Sequence, residues 1–206
     1  MKKIFLTACL FALGLASQNA QAIMGINETG EVLPNNYYKV GVAPEAVLSN
    51  GGGFNVSVFA DMHLFDSADG RITFGSGKTD FWTMVSLKWI PFPDVDRQPA
   101  IGLRGGVGYI RDEDTNFTTL QVTPIISKKA DTQYGNMIPY VGLPVTFIST
   151  KDESYVASQF TVGAEWFPRV DRHVGFELNL NMNKSTSNIS VFFSFPFEGS
   201  TGYLRD

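Results

Sequence analysis

From Tyr37 to Phe197 hydrophobic and polar residues alternate in segments of about 8 to 14 residues separated by polar turns, the period-2 pattern of strands with two unlike faces. The ninth segment is the clearest. Val174, Phe176, Leu178, Leu180 and Met182 alternate with Gly175, Glu177, Asn179, Asn181 and Asn183. The second repeats it, with Phe54, Val56, Val58, Ala60, Met62 and Leu64 against Asn55, Ser57, Phe59, Asp61 and His63. The pattern predicts strands over 37–48, 53–64, 71–77, 80–90, 99–111, 116–128, 137–149, 154–167, 173–183 and 188–197. The short glycine-rich third segment could instead run on to Ile90 as one long strand, which would leave eight.

Successive strands joined by short turns predict an all-β, antiparallel up-and-down barrel of about ten strands, and the polarity of its faces decides what surrounds it. No charged residue falls on the apolar faces, whereas the opposite faces carry Gly, Asn, Gln and Ser with a few charges of both signs. A soluble exterior would be richer in Lys and Glu. A transmembrane barrel explains both faces, because Lys or Arg against lipid costs about 2–4 kcal/mol at the bilayer midplane. After residue 22 no apolar run approaches the roughly 18–20 residues of a spanning helix.

An even strand count puts both chain ends on the periplasmic side, where the turns 93–98 and 168–172 would lie. These turns resemble each other. Lys88-Trp89-Ile90-Pro91 leads to Val95-Asp96-Arg97, and Glu165-Trp166-Phe167-Pro168 leads to Val170-Asp171-Arg172. Proline is expected to stop the strand there. Trp89, Trp166 and Tyr109 fall on apolar faces near strand ends, where amphipathic rings form an interfacial girdle. Pro44, Pro124, Pro139 and Pro144 sit inside predicted strands, and bulges are the expected resolution in a sheet without a free edge.

The N-terminus is set aside from the fold. Met1-Lys2-Lys3, the apolar run Ile4 to Leu15 and Ala20-Gln21-Ala22 read as a signal peptide cleaved after Ala22. Leu6-Thr7-Ala8-Cys9 resembles a lipoprotein box, but it comes too early and the apolar run continues past it. The single cysteine is then removed, so the processed chain has neither disulfide nor cysteine-based metal site. The domains expected are a signal peptide (1–22), a periplasmic segment (23–36), the barrel (37–197) and a tail (198–206). A net charge of −4 without a basic cluster argues against nucleic acid.

In these features residues 37–197 resemble the small monomeric outer-membrane barrels, the class of the transmembrane domain of outer membrane protein A and its eight- to ten-stranded relatives. The resemblance implies the outer membrane of a Gram-negative bacterium, with membrane lipids and the assembly machinery as partners. Such barrels usually end on an aromatic residue, whereas this chain runs on past Phe197; Phe193, Phe195 or Phe197 would take that role.

Inside such a barrel Lys39, Lys88 and Arg104 would pair with Glu45, Asp61, Glu165 and Glu177 and fill a narrow lumen. The alternative is a small pore whose ion preference those charges set. Phe59, Trp82 and Phe192 argue for a filled interior, and the inward Gly102, Gly106, Gly108 and Gly175 argue for room. The expectation is a structural or surface-interaction role, with a narrow channel as the alternative and a lipid-modifying enzyme a distant third. Only His63, near Asp61, and His173, in a turn, could serve as a base. No catalytic residue, metal site or cofactor is expected.

Overall fold

A computed structural model describes residues 25–49, 51–133, 135–169 and 171–199. The expected signal peptide and positions 200–206 of the tail lie outside the described residues.

Twelve strands form one antiparallel sheet: β1 (Tyr37–Val47), β2 (Gly53–Phe65), β3 (Ala68–Gly77), β4 (Phe81–Phe92), β5 (Ala100–Asp112), β6 (Thr115–Ser127), β7 (Ala130–Thr132), β8 (Gly135–Gly142), β9 (Val145–Ser149), β10 (Ser154–Arg169), β11 (Arg172–Asn183) and β12 (Asn188–Glu198). β1 to β6 pair in succession, as do β9 to β12, and β12 pairs with β1 from Tyr37↔Glu198 to Val47↔Asn188, so the sheet closes on itself. β8 and β9 together form a single stave between β6 and β10, and β7 is a short strand hydrogen-bonded to β8. The result is a ten-stranded barrel, and the eight-strand alternative is excluded because β3 and β4 are separate, paired strands.

The two faces sort as period 2 requires. Along β5, Ile101, Leu103 and Val107 face outward while Gly102, Arg104 and Gly106 are buried. The same holds on β2, where Val56 and Val58 are exposed and Asn55, Ser57 and Asp61 are buried. An apolar exterior around a charged interior reverses the soluble arrangement and suits a hydrocarbon surround. Trp89 and Trp166 stand outward at one end of the barrel and Tyr109 at the other, where its hydroxyl donates to Asn116 Oδ1 at 2.8 Å.

The prolines behave differently from the expectation. At Pro44 the pairing of β1 with β12 skips from Val42↔Phe193 to Glu45↔Ser190 without a change of register. Pro124 and Pro144 share a similar gap. β6 pairs with β9 up to Val122↔Val145 and resumes with β8 at Ile125↔Gly142, again in step, and Leu143 N–H donates to Pro124 O at 3.2 Å. These prolines lose ladder bonds and make no bulge. Register does shift at the two prolines expected to stop strands. β4 slips against β5 between Trp89 and Phe92, around Pro91, and β10 slips against β11 between Trp166 and Arg169, around Pro168. Both strands continue past the proline, so the repeated Trp-x-Pro sequence ends each pair with an irregularity that bends the rim.

Candidate functional site

The interior is filled from two directions, by side chains of the wall and by the N-terminal segment. The segment expected to lie in the periplasm as residues 23–36 enters the barrel in its described part. Ile26, Asn27, Glu28 and Thr29 are all buried. The wall makes this possible because its inward faces offer donors and acceptors to an irregular backbone, whose N–H and C=O groups could not be left unpaired there.

The segment is held along its length. Leu33 N–H donates to both oxygens of Asp69 at 3.0 and 3.2 Å, near the end of the barrel where β3 begins. Lys88 Nζ donates to the carbonyls of Thr29 and Glu31 at 3.2 and 2.5 Å. Deeper in, Arg71 Nη1 donates to the carbonyls of Ile26 and Asn27, and Arg104 Nη1 also donates to Ile26 O. Glu177 receives the N–H groups of Ile26 and Asn27 at 2.8 and 2.6 Å, together with Tyr140 Oη–H at 2.7 Å. Gly30 N–H reaches Ser127 Oγ at 3.0 Å.

Glu28 sits at the centre. Its carboxylate lies 3.2 Å from Arg104 Nε, 3.4 Å from Arg71 Nη2 and 3.5 Å from Lys88 Nζ, cations carried by three adjacent strands. Those cations belong to two cross-strand rows. One runs Lys39, Asp61, Arg71 and Ser86 over β1 to β4, and the other runs Asp69, Lys88 and Arg104 over β3 to β5. Lys39 Nζ meets Asp61 at 3.2 Å and Lys88 Nζ meets Asp69 at 3.3 Å. Buried charges in this arrangement share partners, as their desolvation requires.

Of the seven lumen charges singled out in the sequence, all are buried. Lys39, Asp61, Lys88 and Arg104 belong to these rows, Glu177 binds the segment, and Glu165 lies apart beside His173. Glu45 stands outside the ion pairs, its one hydrogen bond among the described residues coming from Asn55 Nδ2 at 3.0 Å. Glu28, Asp69 and Arg71 were missed. Arg71 alternates correctly with Ile72 and Phe74, so parity alone could have assigned it inward; Asp69 fell before the expected start of the strand; Glu28 lay in a segment placed outside the barrel.

The inward glycines make less room than their number suggests. A Cβ at Gly175 would collide with the ring of Phe192, and likewise Gly41 receives Phe59, Gly75 receives Trp82 and Gly163 receives Tyr140. Each is the cross-strand partner of the ring that lies over it. A Cβ at Gly102 or Gly106 would likewise meet the side chain of Ile90 or Met84. Toward the opposite end Trp82, Ile110, Phe117, Ile148 and Ala157 form a buried apolar cluster.

The histidines lie near the end where the chain enters. His173 is in β11, not in a turn; its Nδ1 is 3.2 Å from Glu165 Oε1 and its ring packs against Phe167. Ser194, opposite it on β12, donates to that same Glu165 oxygen. His63 Nδ1 is 3.8 Å from Asp69, the acidic neighbour expected having been Asp61. Among the described residues no group of three or more His, Cys, Asp and Glu is placed to hold a metal ion.

No family model matches the chain, and no curated protein matches it. Solved structures do. An outer-membrane channel from Pseudomonas putida F1 is 9% identical, covering 85% of this chain and 100% of that one, with a TM-score of 0.51. The N-terminal β-barrel domain of OprF from Pseudomonas aeruginosa is 10% identical, covering 79% of this chain and 98% of that one, with a TM-score of 0.38. The first likeness, at that identity, is one of fold, and with the apolar exterior and closed sheet it makes this chain a transmembrane β-barrel of the outer-membrane type.

Proposed function

We propose that this protein is a monomeric barrel of the Gram-negative outer membrane that is closed by its own N-terminal segment and serves a structural role there. The observation that carries this reading is Glu28 held among Arg71, Lys88 and Arg104, which ties the segment to three strands across the middle of the lumen. A surface-interaction role has less to support it. The connections at the end away from the chain entry, 48–52, 78–80, 113–114, 150–153 and 184–187, are all short and offer little area for a partner.

In planar bilayers the processed protein is expected to be silent, and a variant lacking 23–33 is expected to give discrete conductance steps. Steps of equal size from the intact protein would overturn the closed reading. A channel is the second reading, favoured by the polar character of the segment's contacts and by the channel from Pseudomonas putida that shares the fold. A single cysteine separates the two. Thr29→Cys is buried behind the segment's contacts in the closed state, so slow modification by a water-soluble thiol reagent supports closure and rapid modification in native membranes supports a channel.

A further inference from the structure

The N-terminal segment does not fill the mouth of the barrel completely. Between residues 29–34 and the inner faces of β1, β8, β10, β11 and β12 lies a cavity of about 250 Å³. Pockets that take drug-sized ligands run to roughly 300–1,000 Å³, so this space suits a small solute. Its lining is of two kinds. Val32 and Leu33 of the segment and Ile138 and Phe167 of the barrel are apolar, whereas Lys39 and Glu165 bring opposite charges to the same space from β1 and β10.

Both charges are held in place. Lys39 is 7% exposed and Glu165 is 1% exposed. Lys39 Nζ meets Asp61 at 3.2 Å, which uses one of the three donors of an ammonium group. His173 Nδ1 lies 3.2 Å from Glu165 Oε1, and Ser194 Oγ donates to that same oxygen at 3.3 Å. Two fixed charges of opposite sign on one cavity select a ligand by its charge pattern. A plain anion meets Lys39 but is repelled by Glu165, a plain cation suffers the reverse, and a neutral solute strips water from both and returns nothing charged. A ligand that carries both charges satisfies both. An α-amino acid bears its ammonium and carboxylate on one carbon and has a side chain left for the apolar lining.

We propose that this cavity binds a small zwitterion of the amino-acid class, with its carboxylate on Lys39 Nζ, its ammonium on Glu165 Oε2 and an apolar side chain against Ile138, Phe167 and Leu33. This rests on the closed-barrel reading, because the segment forms one side of the cavity. A ligand that needs both segment and barrel binds only the closed state and so stabilises it.

The test is isothermal titration of the processed full-length protein in detergent micelles, with micelles alone as the blank. The probes are L-leucine, 4-methylpentanoate and isoamylamine, the last two being the leucine skeleton with one charge each. Leucine is expected to bind, and each analogue to bind at least about tenfold more weakly for want of one charge-assisted hydrogen bond. Lys39→Met should weaken leucine by a similar factor. Glu165→Gln should weaken leucine while strengthening 4-methylpentanoate, a reversal that a damaged fold would not produce. Should either variant fail to fold, the comparison of the three probes on the unaltered chain decides alone. No binding of leucine at millimolar concentration, equal affinities for the three probes, or leucine binding untouched by Lys39→Met would overturn the proposal. The variant lacking 23–33 should bind none of them. Absent leucine binding in a protein that is silent in bilayers would leave closure standing and remove only this site.

Discussion

Arg71 Nε and Nη2 meet the two carboxylate oxygens of Asp61 at 2.5 and 2.8 Å, and the two residues are cross-strand partners on β3 and β2. The same guanidinium binds the carbonyls of Ile26 and Asn27 and lies 4.2 Å over the Phe59 ring. One side chain therefore joins the wall, the segment and the aromatic packing. Arg71→Met should leave Asp61 and Glu28 short of a partner and cost about 3–5 kcal/mol, the scale for breaking a buried ion pair from one side. Arg71→Lys should recover only part of this, because a point charge cannot reproduce the two-pronged contact. The loss would be read as a lower urea midpoint for heat-modifiable gel migration, and an unchanged midpoint for Arg71→Met would contradict the assignment.

Gly175 and Phe192 illustrate a different dependence, on volume. Phe192 is fully buried and its ring lies in the space a Cβ at Gly175 would take. Gly175→Ala should therefore destabilise by about 1–3 kcal/mol, the range for overpacking a close-packed site. Phe192→Leu in the same chain should relieve much of that cost, giving a favourable coupling between two substitutions that each destabilise alone. Strictly additive losses in the urea midpoint would show that the ring is free to move aside.

What could be read from the sequence was what strand geometry makes local. Period-2 alternation assigns Val107 outward and Arg104 inward without knowledge of any neighbour, and the closed sheet keeps that assignment. The entry of residues 25–33 into the barrel was not local. A polar segment such as Asn27-Glu28-Thr29 finds hydrogen-bond partners equally in water and in a polar lumen, so its composition does not distinguish them. Asp69 and Arg71 were the other half of the same difficulty, because the site has meaning only once Glu28 is placed between the strands that carry its cations. The prolines show a third limit. Pro91 and Pro144 both announce a missing donor, but whether the neighbour shifts register or merely leaves a gap depends on pairing, which each strand's sequence does not contain.

The lipid-facing assignment has its own quantitative consequence, because the cost of a charge depends on depth. Val107 lies midway along β5, 59% exposed, with Val85 and Leu120 as cross-strand neighbours that also face outward. Trp89 faces outward as well but stands near the end of β4. In a hydrocarbon surround Val107→Lys should cost about 2–4 kcal/mol and Trp89→Lys about 0–1 kcal/mol in its charge penalty. Trp89→Gln serves as the control for loss of the ring itself. Reversible folding into phosphatidylcholine vesicles, followed by the loss of heat-modifiable migration with urea, would measure the difference. In water an exposed valine-to-lysine change is nearly neutral, so equal midpoints for Val107→Lys and the wild type would mean that this face does not meet lipid.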